Sequence, residues 1–487
     1  MSRDTARANA PTATSLTQNR AKGAPLTVNW SPVPTFFIEQ FGCRATQADG
    51  AAIERQLVDR GCTLAGSANT ADVVVLNTCT VTAAADAQAR DAVRKLHARN
   101  PATRIVVTGC YAQRAPEELA ALPGVTHVVG NSHKPRIPDL LADTLRSTAP
   151  MNFVPTEKLF APILTGDIFE QHNVLVAPVL GGEGHHTRPT LKIQDGCNNR
   201  CAFCVIPFVR GKSRSLPGET VVEEIRKLAN LGYKEIVLSG INLGAWGRDL
   251  FPRRDFLDLL KQILDETSVE RLRLSSIEPL DVTRDFILLF ASTPRLAEHF
   301  HMPLQSGCDR ILGAMHRWYR TEHYARRIEL IREHLPHAAL GADVIAGFPG
   351  ESDEDHAATV AFIEQRSFTY LHVFSYSSRP GTRAASLPSP VPSNITKQRA
   401  RQLRALGEAK SAAFHASQSR RPLSALTLRH SGDVPDSTLW TPALSSNYLK
   451  LRISGSWPAN HFLDVLCSPD QQTLAMLQLQ PAEPLLI

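Results

Sequence analysis

The sequence has no run of eighteen or more apolar residues, which leaves no candidate for a helix crossing a membrane. Residues 1–30 carry Arg3, Arg7, Arg20 and Lys22 but no apolar core segment, so they do not read as a secretory signal peptide. Rich in Ala, Thr and Asn, residues 1–32 read as a disordered tail. There is no internal repeat and no long low-complexity tract, which excludes a solenoid. Nor is there a strong charge imbalance. The 53 Lys and Arg against 47 Asp and Glu give +6, which is compatible with a nucleic-acid partner without requiring one. The 487 residues, 43% hydrophobic and 21% charged, suit a soluble globular protein of two or three domains. Nine cysteines without a secretion signal point to a reducing compartment, read as the cytoplasm, and to metal binding rather than disulfides.

Three of those cysteines stand in one short loop, Asp195-Gly-Cys-Asn-Asn-Arg-Cys-Ala-Phe-Cys204, with the spacing C-x3-C-x2-C. Three thiolates on one loop can hold three irons of a cubane [4Fe-4S] cluster and leave the fourth open. A zinc site wants a fourth ligand close by, and the next cysteine, Cys308, is about a hundred residues on. Three cysteines cannot all pair locally as disulfides. The alternative is that they pack as small buried hydrophobes, against which the polar Asn199 and Arg200 argue.

Residues 33–150 alternate strand-like and helix-like segments. Thr35–Phe41, Asp72–Asn77 and Thr103–Thr108 read as parallel strands, separated by helices over 48–60 and 82–99. A helix around 116–122 and a strand at Val125–Val129 follow. Cys43, Cys79 and Cys110 each fall just past the C-terminal end of a strand. In an open α/β sheet those ends share one edge, where ligands bind, so three cysteines far apart in sequence are expected to converge. Three unrelated buried thiols is the alternative. Cys62, Cys308 and Cys467 lack this placement and read as structural.

Residues 151–187 read as a linker with short strands, with a Gly181–His186 loop. From residue 188 six strand candidates, at 190–193, 235–239, 271–275, 299–302, 342–346 and 370–374, alternate with helices. Six β/α units predict an open (β/α)6 TIM-like barrel whose site sits on its C-terminal rim. Polar residues gather there: Ser239, Asn242, Ser276, Glu278, Gln305 and Asp343. Residues 395–421 form a helix dense in Lys and Arg, which by default reads as a solvated face. Residues 422–487 alternate as small antiparallel strands do and form a separate β domain.

The loop resembles the radical S-adenosylmethionine (radical SAM) signature, C-x3-C-x-aromatic-C, with Phe203 at the aromatic position. The three-part organisation narrows the resemblance to the methylthiotransferases. So do Gly42–Gln47, Asn77-Thr-Cys-Thr-Val-Thr82, Thr108-Gly-Cys-Tyr-Ala-Gln113, His301-Met-Pro-Leu-Gln-Ser-Gly307, Asp343–Glu351 and Phe374–Thr382. The Asn77–Thr82 and Ser378-Arg-Pro-Gly-Thr382 runs are most similar to the branch acting on N6-threonylcarbamoyladenosine in tRNA. The isopentenyladenosine branch and the branch acting on a ribosomal-protein aspartate are alternatives. A non-catalytic iron–sulfur RNA-binding or sensor protein is a third.

The resemblance implies two [4Fe-4S] clusters, one on Cys197, Cys201 and Cys204 and an auxiliary one on Cys43, Cys79 and Cys110. It also implies two uses of S-adenosylmethionine: methylation of a sulfur at the auxiliary cluster, and generation of a radical that takes the adenine C2 hydrogen. By the same resemblance, Ser239, Asn242, Ser276, Glu278, Gln305 and Asp343 are candidates to hydrogen-bond S-adenosylmethionine, and Ile345 to pack on its adenine. The C-terminal domain is expected to be TRAM-like and to meet the anticodon stem-loop, with Tyr448 stacking on a base and Lys450 and Arg452 on phosphate. A low-potential electron donor of flavodoxin or ferredoxin type and a sulfur source are the implied partners.

Overall fold

Consecutive β-branched residues form parallel strands here because a strand covered on both faces can bury side chains of either parity. The computed structural model describes residues 34–146, 160–171, 174, 187–429 and 440–467. The expected tail at 1–32, His185 and His186, and most of the expected linker lie outside the described residues. The first sheet contains β1 (Thr35–Gln40), β2 (Thr63–Leu64), β3 (Val73–Thr78), β4 (Arg104–Gly109), β5 (Val125–Gly130) and β6 (Ile163–Leu164). All pairs are parallel, in the order β2-β1-β3-β4-β5-β6. Five helices run between and after them: α1 (Arg44–Asp59), α2 (Ala83–Arg99), α3 (Cys110–Arg114), α4 (Pro116–Ala120) and α5 (Ile137–Arg146).

Period two divides β3 between two helix layers. Val74 and Leu76 join Val93, Leu96 and Leu119 on one face, and Val73 and Val75 join Ile53 and Leu57 on the other. The helix expected over 48–60 begins four residues earlier, directly after Cys43. Thr82 caps α2, its hydroxyl accepting from Ala85 N at 3.2 Å. β6 comes from the segment expected to be a linker and extends the sheet beyond β5.

The second part begins with β7 (Thr190–Asp195), α6 (Ile206–Arg210) and the two-residue β8 (Arg214–Ser215), which turns back antiparallel on β7. Then come α7 (Gly218–Asn230), β9 (Glu235–Gly240), α8 (Phe256–Glu266), β10 (Arg271–Leu274) and α9 (Arg284–Ser292). They are followed by β11 (His299–His301), α10 (Asp309–Ala314), α11 (Thr321–His334), β12 (Ala339–Ala346), α12 (Asp353–Gln365) and β13 (Tyr370–Ser375). Pairing is parallel along β7-β9-β10 and β11-β12-β13. The bridges Leu272–Leu296 and Ser276–His301 join the two sets. The six strands make the open barrel that the alternation predicts. Leu191 and Ile193 enter the core under the covering helices, while Lys192 turns to the other face and meets Asp49 of α1.

The chain ends in α13 (Ser393–Ser417) and an antiparallel sheet of β14 (Pro422–Thr427), β15 (Trp440–Ser445), β16 (Lys450–Ser454) and β17 (Phe462–Leu466), in the order β16-β15-β14-β17. The fold is thus α/β, with a parallel sheet, a partial barrel and a small antiparallel sheet, as the sequence predicts. One feature differs. The basic helix is only partly a solvated face: Arg399 pairs with Glu351 at 2.8 Å and Asp353 at 2.7 Å. Lys410 donates to the carbonyls of Glu364 and Arg366 at 2.6 and 2.7 Å. Lys397, Arg401 and Arg404 remain exposed. No helix among the described residues is long and apolar enough to cross a membrane.

Candidate metal centres

Cys43, Cys79 and Cys110 stand at the C-terminal ends of β1, β3 and β4, three neighbouring strands. Adjacency in the sheet, not in sequence, brings them together. Gly42 lets the first approach the second. Its φ is +108°, and a Cβ there would lie 2.5 Å from Cys79 Cβ, so a side chain is excluded both by conformation and by space. Burial pushes the Cys79 thiol up to about 12, and the neighbouring Cys110 and Cys43 add to the rise. Cys110 packs against Val205 and Val209 beside the second cysteine loop. Asn131 spans the gap, its Nδ2 donating to Cys110 Sγ at 3.6 Å and to the Val209 carbonyl at 2.8 Å.

The second set lies in the loop after β7. Gly196 has φ +69°, and a Cβ there would come within 2.0 Å of the Lys212 carbonyl oxygen. The loop folds back on itself: Cys197 N donates to Gly211 O at 3.1 Å and Cys204 N to Cys201 O at 3.1 Å. Donors converge on the sulfurs. Asn199 N lies 3.4 Å and Asn242 Nδ2 3.9 Å from Cys197 Sγ, and Arg317 Nη1 lies 3.2 Å from Cys201 Sγ. Burial pushes the Cys204 thiol up to about 12, with Cys201 adding to it.

All six thiols are free, and both sets offer three sulfurs, the donor number a cubane with one open iron takes. Asn131 Oδ1, Asn242 Oδ1 and Arg210 Nε, close to these sets, are buried without a protein partner. The residues present therefore fit iron–sulfur clusters. Thiols raised in pKa must lose their protons when metal binds, so loading releases protons.

A cavity of about 220 Å³ opens between the two sets. Val81 and Thr82, just after Cys79, line one side, Phe203–Ile206 another, and Gln305, Asp343, Ile345 and Phe374 the third. Of the expected rim residues, Gln305, Asp343 and Ile345 line this cavity, and Asn242 stands against Cys197. Ser239 is buried at the end of β9. Ser276 bridges to His301. The Glu278 carboxylate is ion-paired with Arg317. Asp343 is engaged by His301 Nε2 at 3.0 Å and His372 Nδ1 at 3.4 Å. Burial alone would raise its pKa, but the two imidazoles hold it well below the usual carboxylate range.

Arg317, which bonds both Cys201 and Glu278, carried no sequence signal, and neither did the buried pairs of Asp49 with Lys134, Lys192 and Arg210. The expected RNA contacts divide. Lys450 and Arg452 are exposed on β16, Arg452 lying 4.7 Å from the Trp440 ring centre. Tyr448 is half-buried and stacks on His299 at 4.1 Å and 14°, with Arg273 5.4 Å from its ring centre. Its aromatic face is committed to the base of the barrel because β15 and β16 are drawn there by Arg273, which donates to the carbonyls of Ser445 and Ser446 at 2.9 and 3.0 Å. Of the cysteines read as structural, Cys62 and Cys467 pack in the cores of the first and last sheets, and the Cys308 thiol donates to Asp355 at 3.1 Å.

Two known families match the chain. The one described as Uncharacterized protein family UPF0004 covers residues 35–130, and the Radical SAM superfamily covers residues 191–363. Among relatives, the threonylcarbamoyladenosine tRNA methylthiotransferase MtaB of Aquifex aeolicus is 36% identical over 418 residues, spanning 86% of this chain and 96% of the relative. The protein of the same name from Bacillus subtilis is 34% identical over 87% of this chain and 91% of its own length. The tRNA-2-methylthio-N(6)-dimethylallyladenosine synthase of Syntrophobacter fumaroxidans is 36% identical over 77% of this chain and 81% of its own. Among solved structures, the radical S-adenosylmethionine methyltransferase TsrM of Kitasatospora setae superposes with a TM-score of 0.54 at 16% identity, covering 72% of this chain and 77% of that one. That likeness concerns the fold.

Proposed function

The chain belongs to the radical SAM methylthiotransferases, and from that premise we propose that its substrate is tRNA and its target C2 of N6-threonylcarbamoyladenosine next to the anticodon. The observation that carries this choice of substrate is the position of Val81 and Thr82. They end the Asn77–Thr82 run that resembles the threonylcarbamoyl branch, they stand where the isopentenyladenosine branch usually carries a basic residue, and they line the cavity between the two cysteine sets. The relatives named for that substrate over most of this chain support the same reading. The isopentenyladenosine reading is second to it.

When bound, S-adenosylmethionine and a cluster on Cys197, Cys201 and Cys204 supply one-electron cleavage of a sulfonium, and an auxiliary cluster on Cys43, Cys79 and Cys110 carries the sulfur to be transferred. An adenine C2–H bond is unactivated, and no acid or base among the side chains can usefully remove that proton, so the hard chemistry is the cofactors' and orientation is the protein's. A base must leave its stack to enter the cavity. Phe203, Phe374 and Tyr376 line it with apolar surface, and Gln305 offers hydrogen bonds. Gln305 is held in place by backbone bonds to β12, its N donating to Asp343 O at 2.8 Å and its carbonyl accepting from Ile345 N at 2.9 Å. A low-potential one-electron donor and a sulfur source complete the set of partners. The test is mass spectrometry of tRNA nucleosides from a strain lacking this gene. The 2-methylthio derivative of N6-threonylcarbamoyladenosine should vanish while its precursor accumulates. Loss of the 2-methylthio isopentenyl form instead would move the substrate to the other branch.

A further inference from the structure

One buried ion network joins the two cysteine sets. Arg210 closes α6, the short helix that follows Cys204, and is 2% exposed. Its Nη1 donates to Asp195 Oδ1 and Oδ2 at 3.0 and 3.1 Å, and its Nη2 to Asp49 Oδ2 at 3.1 Å. Asp195 also accepts from Gly196 N at 2.8 Å, the residue before Cys197. Asp49 lies on α1, the helix that starts after Cys43. Lys192 bonds both carboxylates and Lys134 bonds Asp49. All five side chains are buried.

Two anions here face three cations, and the neighbouring Arg214 adds to the same sign. A surplus positive charge in the interior is unfavourable unless an anion faces it. Two observations show where that anion belongs. Arg210 Nε is buried with no protein partner. Arg210 Nη2 also donates to Thr46 Oγ1 at 3.5 Å, that hydroxyl lies 3.6 Å from Cys43 Sγ, and Cys110 packs on Val209, the residue before Arg210. The surplus cation and its spare donor therefore sit beside the auxiliary set, not in bulk solvent.

We propose that Arg210 is a positioning residue for the auxiliary iron–sulfur cluster. Its guanidinium is locked between the two cysteine loops and raises the reduction potential of the cluster held by Cys43, Cys79 and Cys110. This rests on reading those three cysteines as ligands. Reduction adds one negative charge to a thiolate-bound cubane. A buried cation beside such a cluster stabilises the reduced form more than the oxidised one, because little solvent screens it, and net charge and hydrogen bonds to sulfur are what set such potentials.

The experiment is a dithionite titration of the auxiliary cluster, followed by electron paramagnetic resonance, in the full chain with Cys197, Cys201 and Cys204 replaced by Ala so that one signal remains. Arg210→Met removes the cation, keeps much of the volume and leaves Asp49 and Asp195 matched by Lys134 and Lys192. The potential should fall by at least a tenfold shift in the one-electron equilibrium, ~59 mV. Asp49→Asn removes an anion instead and should raise it. Arg210→Lys should stay near the parent. A role confined to packing would not move the two charge-changing variants in opposite directions, so equal potentials or shifts of the same sign overturn the proposal. If Arg210→Met takes up no iron, Asp49→Asn decides alone: a rise supports the proposal and no rise overturns it. Absence of any cluster in the parent would instead refute the ligand assignment on which the proposal rests.

Discussion

A single hydrogen at Gly196 decides whether the cysteine loop can close. At φ +69° the residue already sits where side chains are disfavoured, and its missing Cβ leaves room for the Lys212 carbonyl oxygen, which would otherwise be 2.0 Å away. The conformation alone costs about 1–2 kcal/mol for an L side chain, and the collision is with backbone, which cannot swing aside. Gly196→Ala should therefore lose the cluster on Cys197, Cys201 and Cys204 and keep the other. Iron per chain in anaerobically prepared protein should fall from ~8 to ~4, with cleavage of S-adenosylmethionine abolished. Unchanged iron would show that the loop tolerates the methyl group and that its geometry is not what holds the metal. At this scale the six candidate ligands were legible in the sequence, because each carries a local sign: a fixed spacing, or a Gly, Thr or Asn ending an apolar run. Arg317 and Arg210 were not. The first reaches a sulfur 116 residues away and the second a carboxylate 161 residues away, and nothing near either residue marks it off from an ordinary helix or loop arginine.

Among the elements, β9, β10 and the C-terminal sheet are tied through one carboxylate. Glu235 is fully buried and pairs with Arg188 at 3.0 Å, Arg271 at 3.4 Å and Arg273 at 2.8 Å. Arg271 in turn donates to Ser424 Oγ at 2.7 Å, as Arg273 does to the β15 end. Burial by itself would raise the Glu235 pKa, but the arginines, Arg273 foremost, bring it down to about 2 from an ordinary 4.5. A depressed carboxylate stabilises the fold above its unfolded pKa and loses that contribution as pH falls through the folded one. The window is therefore roughly pH 4.5 down to 2, and the contribution at neutral pH is about 3 kcal/mol. Thermal melting of the wild type should lose stability through that window. Glu235→Gln should be destabilised already at pH 7 and show a shallower acid slope. Parallel acid slopes for the two proteins would mean that other carboxylates dominate. The strands themselves were legible, since Glu235–Ser239 and Arg271–Ser275 read as barrel strands from their alternation. Their inward arginines were not, because a polar residue at every second position predicts a solvated face as readily as a buried ion cluster. The same ambiguity hid the packing role of Arg399 and Lys410 in a helix that reads as basic and exposed.

For the whole molecule, the question is which surface holds the backbone of the tRNA while one base enters the cavity. The net charge of +6 is modest, so binding cannot rest on a uniformly basic protein and has to come from local clusters. Among the described residues, the exposed cations near the chain's end include Lys397, Arg401 and Arg404 on α13, Arg420 and Arg429 on either side of β14, and Lys450 and Arg452 on β16. Tyr448 is not available beside them, since its ring is stacked on His299. The contribution expected of this region is therefore electrostatic rather than by stacking. Replacing Lys450 and Arg452 together by Ala removes two cations without touching the barrel base or either cysteine set. Affinity for tRNA should fall most at low salt, and the slope of log K against log salt should flatten by about one for each phosphate that is no longer neutralised. S-adenosylmethionine cleavage measured without tRNA should not change. Removing the whole sheet by truncation after Gln418 should weaken binding further while leaving all six candidate cluster ligands in place. A double variant with the wild-type affinity and the wild-type salt slope would mean that β16 faces away from the RNA, and the binding surface would then be sought on α13 and on the rim between the first sheet and the barrel.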